Sequence, residues 1–297
     1  MRLIRCLLVS GSAAMLAGGM MLTAGSAATT SAAPAARAAQ SASHPSARFL
    51  AEARSALVSY LKHDHQPLEL THGTAHVGPV GTSDVSSFNW SGYADTSATT
   101  GTFSEVSGEW KTPAVSCSVE DTITSEWVGL DGFSDATVEQ DGTLDWCFEG
   151  TPTLFTWYEM FPAGTIEVGT SLQPNDLVKA SVSRTGTMYT LALTDFTRPA
   201  NSFSVTSTCA AATCLDTSAE WIAERPSFSI GIAPLADYFI WQLNDASETA
   251  GGTAGTISSY PTNDKIGMVD ATDSYGLSTP TPLTGGNSFF TFWHNSY

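Results

Sequence analysis

From residue 86 to the C-terminus, the chain is divided into short runs that alternate apolar and polar residues. The runs are four to eight residues long and are separated by Gly, Asn, Asp, Pro and Ser. Such alternation places successive side chains on opposite faces of a strand, and no helical period of useful length occurs in this region. Many short strands at nearly even spacing predict an all-β sandwich or barrel in a single domain, residues 86–297. The clearest runs are Thr102–Trp110, Thr124–Leu130, Leu154–Phe161, Leu177–Ser183, Met188–Thr194, Phe203–Ser207, Ser218–Glu224, Tyr238–Leu243 and Phe289–Trp293.

The first 39 residues have the pattern of a secretory signal peptide. Arg2 and Arg5 precede an apolar run, Leu7–Leu22, and small residues with Ala-x-Ala-like sites follow. A membrane anchor is the alternative, but the apolar run is short and rich in glycine for a spanning helix. We therefore expect a secreted, extracellular protein.

Charge is strongly segregated along the chain. Of the 29 acidic residues, all but four lie from Val85 onward, whereas only half of the 12 basic residues do. Such a body repels nucleic acid and anionic membranes, so neither is expected as a partner. It suits a protein that works in acid, although simple solubility explains the charge equally well.

Residues 40–85 differ from the acidic body that follows them. Ser46–His63 fits an amphipathic helix, and a stretch containing Pro and Gly comes after it. Five of the six histidines of the chain lie here: His44, His63, His65, His72 and His76. Histidine titrates between pH 5 and 8, so we expect a propeptide that pairs with the acidic body near neutral pH and is shed in acid. A disordered linker is the alternative.

The cysteines indicate disulfide bonds. Cys6 lies in the signal peptide, which leaves Cys117, Cys147, Cys209 and Cys214. An even number in an exported chain favours disulfides, and four cysteines allow three pairings. The preferred pairing is Cys209 with Cys214 and Cys117 with Cys147. No metal or other cofactor is expected, because no Cys-x-x-Cys pair or nearby histidine is available to bind one.

The scarcity of histidine restricts the chemistry of any catalytic site. From residue 80 onward His294 is the single histidine, so a Ser-His-Asp triad would lack its base. Carboxylate chemistry remains, either hydrolysis of glycosides or hydrolysis of peptides through an activated water.

Three predicted strands place acidic side chains on one face, and two of them place a Trp beside the acid. Because side chains alternate along a strand, Glu220 shares a face with Glu224, Trp157 with Glu159, and Trp127 with Asp131. Each strand alone would suit an ordinary solvent-facing surface. Together they favour an acidic groove lined by aromatic side chains.

Several motifs, in order, resemble those of the eqolisins, the glutamic peptidases. The likeness extends from about Asn89 to Asp237 and is less distinct in the last sixty residues. Its motifs are Asn89–Tyr93, Val106–Trp110 with Pro113, Trp127–Gly132, Val138–Gln140 with Gly142, Trp157–Pro162 and Ser218–Glu224. The resemblance implies an antiparallel double-sheet, lectin-like β-sandwich made as a zymogen.

The resemblance also implies a catalytic pair, Gln140 and Glu220. Ionised Glu220 would take a proton from the attacking water, and the Gln140 amide would stabilise the oxyanion. Five further residues would line the substrate-binding cleft and tune Glu220: Trp127, Asp131, Trp157, Glu159 and Glu224. The expected partners are protein and peptide substrates and the chain's own propeptide, and the expected state is a monomer.

Some positions depart from the family pattern. Asp141 follows the catalytic Gln where Thr is usual and is expected to raise nearby pKa values. Phe161 stands where Tyr is frequent, and Glu126 adds a charge before Trp127. Asp131-Gly132 and Asp141-Gly142 are both expected to be turns.

Two other functions remain open. A glycoside hydrolase or carbohydrate-binding sandwich would use the same aromatic and acidic face, but would not need Gln140. A non-catalytic secreted structural protein would leave Glu220 as an ordinary solvated residue.

Overall fold

The computed structural model describes residues 63–71, 76–77, 82–118, 121–228, 231–270 and 276–297, all within one compact unit. The predicted signal peptide lies outside these residues. The predicted helix Ser46–His63 lies outside them as well, except for His63, which begins a strand. No helix among the described residues is long and apolar enough to cross a membrane.

The described chain is built almost entirely from strands, as the alternation predicts. Two short 3-10 turns, Pro199–Asn201 and Ile257–Ser259, interrupt them. The strands are β1 (His63–Asp64), β2 (His76–Val77), β3 (Thr82–Ser87), β4 (Trp90–Thr96), β5 (Phe103–Lys111), β6 (Thr122–Leu130), β7 (Val138–Phe148), β8 (Thr151–Phe161), β9 (Ile166–Gly169), β10 (Leu177–Thr185), β11 (Met188–Asp195), β12 (Phe203–Thr208), β13 (Ser218–Glu224), β14 (Ser227–Phe228), β15 (Gly231–Ile232), β16 (Ile240–Ala250), β17 (Thr253–Gly255), β18 (Asn263–Val269), β19 (Gly276–Pro280) and β20 (Phe289–Trp293).

Two large sheets form the predicted sandwich. The first, here called the site sheet, has the order β9-β8-β7-β6-β13-β4-β18-β3-β2. The second, the support sheet, has the order β12-β11-β10-β5-β16-β20-β19. Pairing of β18 with β19, the edge strand of the support sheet, connects the two sheets. The pairing is antiparallel throughout except between β3 and β18, which run parallel.

The strands β4, β6, β8 and β13 of the site sheet contribute residues to two different apolar layers. The inner layer fills the space between the sheets and includes Val128, Trp221 and Leu243. The other layer lies on the outer face of the site sheet and includes Trp127 and Trp157. Because both faces are covered, β6 and β13 are buried along their whole length.

The structure supports one of the two predicted Asp-Gly turns and corrects the other. Asp131 and Gly132 have φ values of 67° and 99° and leave β6 in a turn. Gly142, in contrast, lies in the middle of β7, so its predicted turn is wrong. A Cβ at Gly142 would stand 2.1 Å from the backbone oxygen of Glu126 and 2.7 Å from Cβ of Trp127. Close approach of β6, rather than a reversal of the chain, explains this glycine.

The two disulfides have the pairing preferred from the sequence. Cys117–Cys147 ties the segment before β6 to the end of β7. Cys209–Cys214 closes a small loop ahead of β13. Both therefore restrain segments that flank the central strands of the site sheet.

Candidate active site

Strand register brings the predicted catalytic residues into one row across the outer face of the site sheet. Glu220 of β13 pairs with Gly129 of β6, Gly129 pairs with Gln140 of β7, and Gln140 pairs with Glu159 of β8. Directly paired residues project from the same face, so the three polar side chains share it. Gly129 leaves the middle of the row without a side chain.

Two parallel rows complete this face. One row contains Ile222, Trp127, Gly142 and Trp157, and the next pairs Glu224 with Ser125. Trp157 and Glu159 therefore share one face of β8, and Glu220 and Glu224 share the same face of β13, as alternation in the sequence predicts.

Gln140 is fully buried, and its side-chain amide donates two hydrogen bonds. Nε2 donates to Oε2 of Glu159 at 3.2 Å and to the backbone oxygen of His65 at 3.0 Å. Glu159 therefore holds the amide in place while the amide binds a carbonyl group. A carbonyl in this position is polarised by the same donor that would stabilise an oxyanion.

Glu224 faces the backbone N–H of Gln66, the residue that follows His65. Nε1 of Trp127 donates to Oε2 of Glu224 at 2.8 Å. Burial raises the pKa of Glu224 well above its usual value, while Trp127, the backbone N–H of Gln66 and the indole of Trp90 act to lower it. Glu224 and Gln140 thus lie on the two sides of the His65–Gln66 peptide bond, at its N–H and its carbonyl oxygen.

Glu220 has different surroundings. Burial raises its pKa well above the usual value, the Ser218 hydroxyl opposes this, and the charges of Asp131, Asp135 and Glu139 reinforce it. No hydrogen bond within 3.5 Å reaches either carboxyl oxygen among the described residues. Glu220 therefore faces an acidic cluster at the end of β6, and no described contact joins it to the peptide bond that Gln140 binds.

Asp131, predicted to line the cleft, holds a loop instead. Its carboxylate accepts hydrogen bonds from the backbone N–H groups of Leu215, Asp216 and Thr217 at 2.7–2.8 Å. Burial and the nearby charge of Asp135 raise its pKa to about 7 in spite of these bonds. Asp131 thus fixes the start of β13, which carries both glutamates, and its left-handed φ at the end of β6 explains why strand alternation misplaced it.

Residues 65–71, here called the covering segment, lie across this face. Leu68 N–H donates to the oxygen of Gly132 at 2.9 Å, and the N–H of Glu69 donates to Oδ1 of Asn89 at 2.8 Å. The carbonyl of Gln66 accepts from Nε1 of Trp90, and that of Pro67 from Nδ2 of Asn89, both at 3.1 Å. Backbone groups make these contacts, which is how clefts bind extended peptides.

The covering segment explains why the whole site is closed. The four side chains Gln140, Glu159, Glu220 and Glu224 have no solvent exposure. His65, from the predicted propeptide, is equally buried. The sequence pointed to the histidine cluster of residues 44–76 but not to His65 as the member that enters the site.

Asp141 and Glu126, two departures from the family pattern, do not lie in the site. Asp141 projects into the layer between the sheets, where burial raises its pKa and the backbones of Ala192 and Ser181 in the support sheet oppose the rise. It therefore does not lie beside the Gln140 side chain. Glu126 also projects inward, where Thr124 and Thr143 donate to it at 3.0 and 3.3 Å.

The sequence missed several residues that complete the site. Ser125, Thr165 and Asn89 contact the covering segment, and Trp90 does so through its indole. Asn89 and Trp90 belong to a motif noted above, so their order along the chain was a usable signal. Ser125 and Thr165 carry no such signal, because only the three-dimensional structure brings them together.

Known proteins share this architecture. Two solved structures each cover 70% of this chain: a scytalido-glutamic peptidase with a transition-state analogue inhibitor, at TM-score 0.59, and SCP-B, a member of the eqolisin family in complex with the tripeptide Ala-Ile-His, at TM-score 0.55. Each is 20% identical to this chain, which covers 98% of both. At this level of identity the likeness establishes the fold.

Comparison of the sequence with known proteins identifies the family as well as the fold. A curated relative, aspergillopepsin-2 of Aspergillus niger, is 27% identical over 149 residues, 49% of this chain. The chain spans about half the length of this relative, 52%. The model of the Peptidase A4 family matches residues 88–279, a range that contains Gln140, Glu159, Glu220 and Glu224. From strand order, site and sequence match together, this chain belongs to the peptidase A4 family.

Proposed function

We propose that this chain is a secreted, acid-acting glutamic endopeptidase made as a zymogen. The observation that carries the proposal is the His65–Gln66 peptide bond, whose carbonyl accepts from Gln140 and whose N–H faces Glu224. A peptide bond held between an amide donor and a carboxyl group is arranged as the substrate of a peptidase would be.

The chemistry needs one proton acceptor and one oxyanion donor. A carboxylate takes a proton from water, the water oxygen bonds to the carbonyl carbon, and negative charge develops on the carbonyl oxygen. Gln140 donates to that oxygen, an interaction that contributes about 3 kcal/mol when the donor is preorganised. The carboxyl group then returns its proton to the departing amine as the C–N bond breaks.

The surroundings of the two glutamates favour Glu224 over Glu220 as this base. Glu224 faces the nitrogen of the bound peptide bond, where the leaving amine must be protonated, and Trp127 orients it. Glu220 faces other acids. We therefore revise the sequence prediction: the proposed catalytic pair is Gln140 and Glu224, with Glu220 as a neighbouring carboxyl group.

The burial of Glu224 by the covering segment and the acidity of the chain support an enzyme that acts in acid and is made with a propeptide. Burial raises the pKa of Glu224, and the covering segment contributes to that burial, so its departure would bring the pKa back towards the usual 4. A base with that pKa is ionised in mild acid. The strongly acidic body, with a formal net charge of −17 for the chain, repels itself less as the pH falls.

A set of matched variants tests the catalytic pair. The full-length precursor is exposed to about pH 4, near the carboxylate pKa range, and assayed on a denatured protein. Gln140→Ala is expected to lose about 100-fold or more in rate, and Glu224→Gln nearly all activity, while Glu105→Gln, at an exposed position of β5, retains it. Circular dichroism checks that each variant is folded.

Three results would contradict the proposal. Full proteolysis by Gln140→Ala or by Glu224→Gln would exclude the mechanism. If Glu220→Gln lost activity while Glu224→Gln kept it, Glu220 would be the general base instead of Glu224. Hydrolysis of a polysaccharide without hydrolysis of protein would support the glycoside hydrolase instead.

A further inference from the structure

The outer face of the support sheet carries a cavity that the proposed function does not use. This support-sheet cavity has a volume of about 640 Å³, within the range of small-molecule sites, and lies over β5, β16 and β20. Trp110 and Leu243 of these strands belong to the inner layer, so Glu109, Gln242 and Asn244, which alternate with them, point outward into the cavity. The catalytic pair lies on the outer face of the other sheet, so the two sites are on opposite sides of the sandwich.

Phe239 lines the cavity in an unfavourable state. Of the large apolar side chains that the structure describes, it is the most exposed, at 73%. Its φ is 56°, in the left-handed region that favours Gly or Asn. Its N–H donates to Oδ1 of Asp237 at 3.0 Å, and its carbonyl accepts from the N–H of Trp293 at 3.2 Å. A strained backbone that displays an aromatic ring to water points to a binding role for that ring.

Backbone strain is concentrated around this cavity. Six non-glycine residues of the described chain have a positive φ, and three of them belong to this region. Phe239 and Asn175 line the cavity, and Asp245 follows Asn244 at a bulge in the pairing of β16 with β5. Such bulges often re-aim side chains next to functional sites.

Two further aromatic rings continue the apolar surface along β20. Phe290 lines the cavity, and Phe292, the next outward residue of the strand, is exposed. Their ring centroids are 6.4 Å apart. Phe292 pairs with Ile240, which also lines the cavity. The apolar surface is therefore elongated, as the binding of a polymer requires.

Amide and charged side chains add hydrogen-bonding groups. Nε2 of Gln242 donates to Oδ1 of Asn244 at 2.8 Å, which leaves Oε1 of Gln242 and Nδ2 of Asn244 for a ligand. The side chains of Glu109, Lys111 and Asn175 make no hydrogen bond or ion pair within the described part of the chain. The cavity thus presents both donors and acceptors.

Charge and strand pairing restrict the class of ligand. One carboxylate, Glu109, and one ammonium group, Lys111, line the cavity, so their charges balance within a strongly acidic chain that repels polyanions. The strands β5, β16 and β20 each pair with a neighbour on both sides, so they offer no open edge to an extended peptide. A ligand that suits this cavity is uncharged and is bound through side chains.

We propose that the support-sheet cavity binds a neutral polysaccharide with an extended chain. A pyranose ring has apolar C–H faces, which pack on an aromatic ring such as that of Phe239. It also has hydroxyl groups around its rim, which pair with the amides of Gln242 and Asn244. Binding here holds a secreted peptidase on a polymer that carries protein substrates. This goes beyond the proposed function and does not depend on the catalytic pair.

Retention of the full-length chain on insoluble cellulose and chitin tests the proposal. The bound fraction is measured at about pH 4, as in the peptidase assay, with cellohexaose and chitohexaose as soluble competitors. We expect at least one of the two polymers to retain the wild-type chain and its own hexasaccharide to release it. Phe239→Gly is expected to weaken binding about tenfold or more, and Gln242→Ala about threefold. Tyr297→Ala removes an exposed aromatic ring that does not line the cavity, and serves as the matched control.

Stability separates lost ligand contacts from misfolding. Because glycine adopts a left-handed φ readily, Phe239→Gly should unfold at about the same urea concentration as the wild type and digest denatured protein at the same rate. Equal retention of Phe239→Gly and the wild type would overturn the proposal. So would a wild-type chain that neither polymer retains, or one that casein releases and the hexasaccharides do not. A chain that binds the polymer but digests no protein in acid would contradict only the proposed function.

Discussion

At the scale of single residues, the hydrogen bond from Trp127 to Glu224 makes a prediction about pH dependence. The indole lowers the pKa of Glu224, so Trp127→Phe should raise that pKa and reduce the ionised fraction at a given pH. The acid limb of the kcat/KM profile is expected to move to higher pH by about one unit, since one hydrogen bond to a charged group corresponds to roughly 1.4 kcal/mol.

Trp241→Phe is a suitable control for this change. Trp241 is buried in the inner layer, and its Nε1 has no hydrogen-bond partner among the described residues. Trp241→Phe removes the same side-chain volume as Trp127→Phe but removes no hydrogen bond to Glu224. A profile of Trp127→Phe that coincides with that of Trp241→Phe would show that the indole does not tune the base.

The sequence placed both glutamates on one face of the sheet but could not decide which of them is the proposed base. Glu220 and Glu224 are four positions apart on one strand, so alternation places them on the same side and cannot separate them. What separates them is non-local: Trp127 from β6, the acidic cluster around Asp131, and the covering segment. Such contacts depend on strand register, which no local pattern encodes.

At the scale of elements, the strands themselves were largely predictable. Ser218–Glu224 and Phe289–Trp293 have the predicted bounds, because β-branched and aromatic residues alternate between clear turn signals. Ile240–Ala250 extends seven residues beyond the predicted end at Leu243, through polar residues that pairing with β5 retains in the sheet. Gly142 was misread because a glycine in a turn and a glycine under a neighbouring strand look alike in sequence.

The crowding at Gly142 makes a prediction about stability. Gly142→Ala would drive a methyl group into the backbone of β6, where the atoms cannot move aside, and is expected to cost about 3 kcal/mol or more of unfolding free energy. Gly267→Ala in β18 is the matched control, because its nearest atom would be 4.0 Å away. Urea unfolding at about pH 4 measures both. Similar midpoints for the two variants would refute the packing argument.

At the scale of the whole molecule, the sandwich buries carboxyl groups between its sheets, which links stability to pH. Burial raises the pKa of Glu126 to about 8 and raises those of Asp141 and Asp145 well above their usual value. The sequence showed the excess of acid, but it could not show that these groups project inward. In the unfolded chain they titrate near pH 4.

The sign of the resulting pH dependence follows from these shifts. Groups whose pKa is raised on folding bind more protons in the folded state, so their contribution is complete below about pH 4 and is lost as the pH rises towards 8. The unfolding free energy is therefore expected to fall by several kcal/mol over this range, measured by urea unfolding of the full-length chain at each pH. Glu126→Gln, which cannot ionise, should flatten the curve, whereas Glu105→Gln on the exposed side of β5 should not. A stability that is constant from pH 4 to 8, or equal curves for the two variants, would mean that the buried carboxyl groups do not control it.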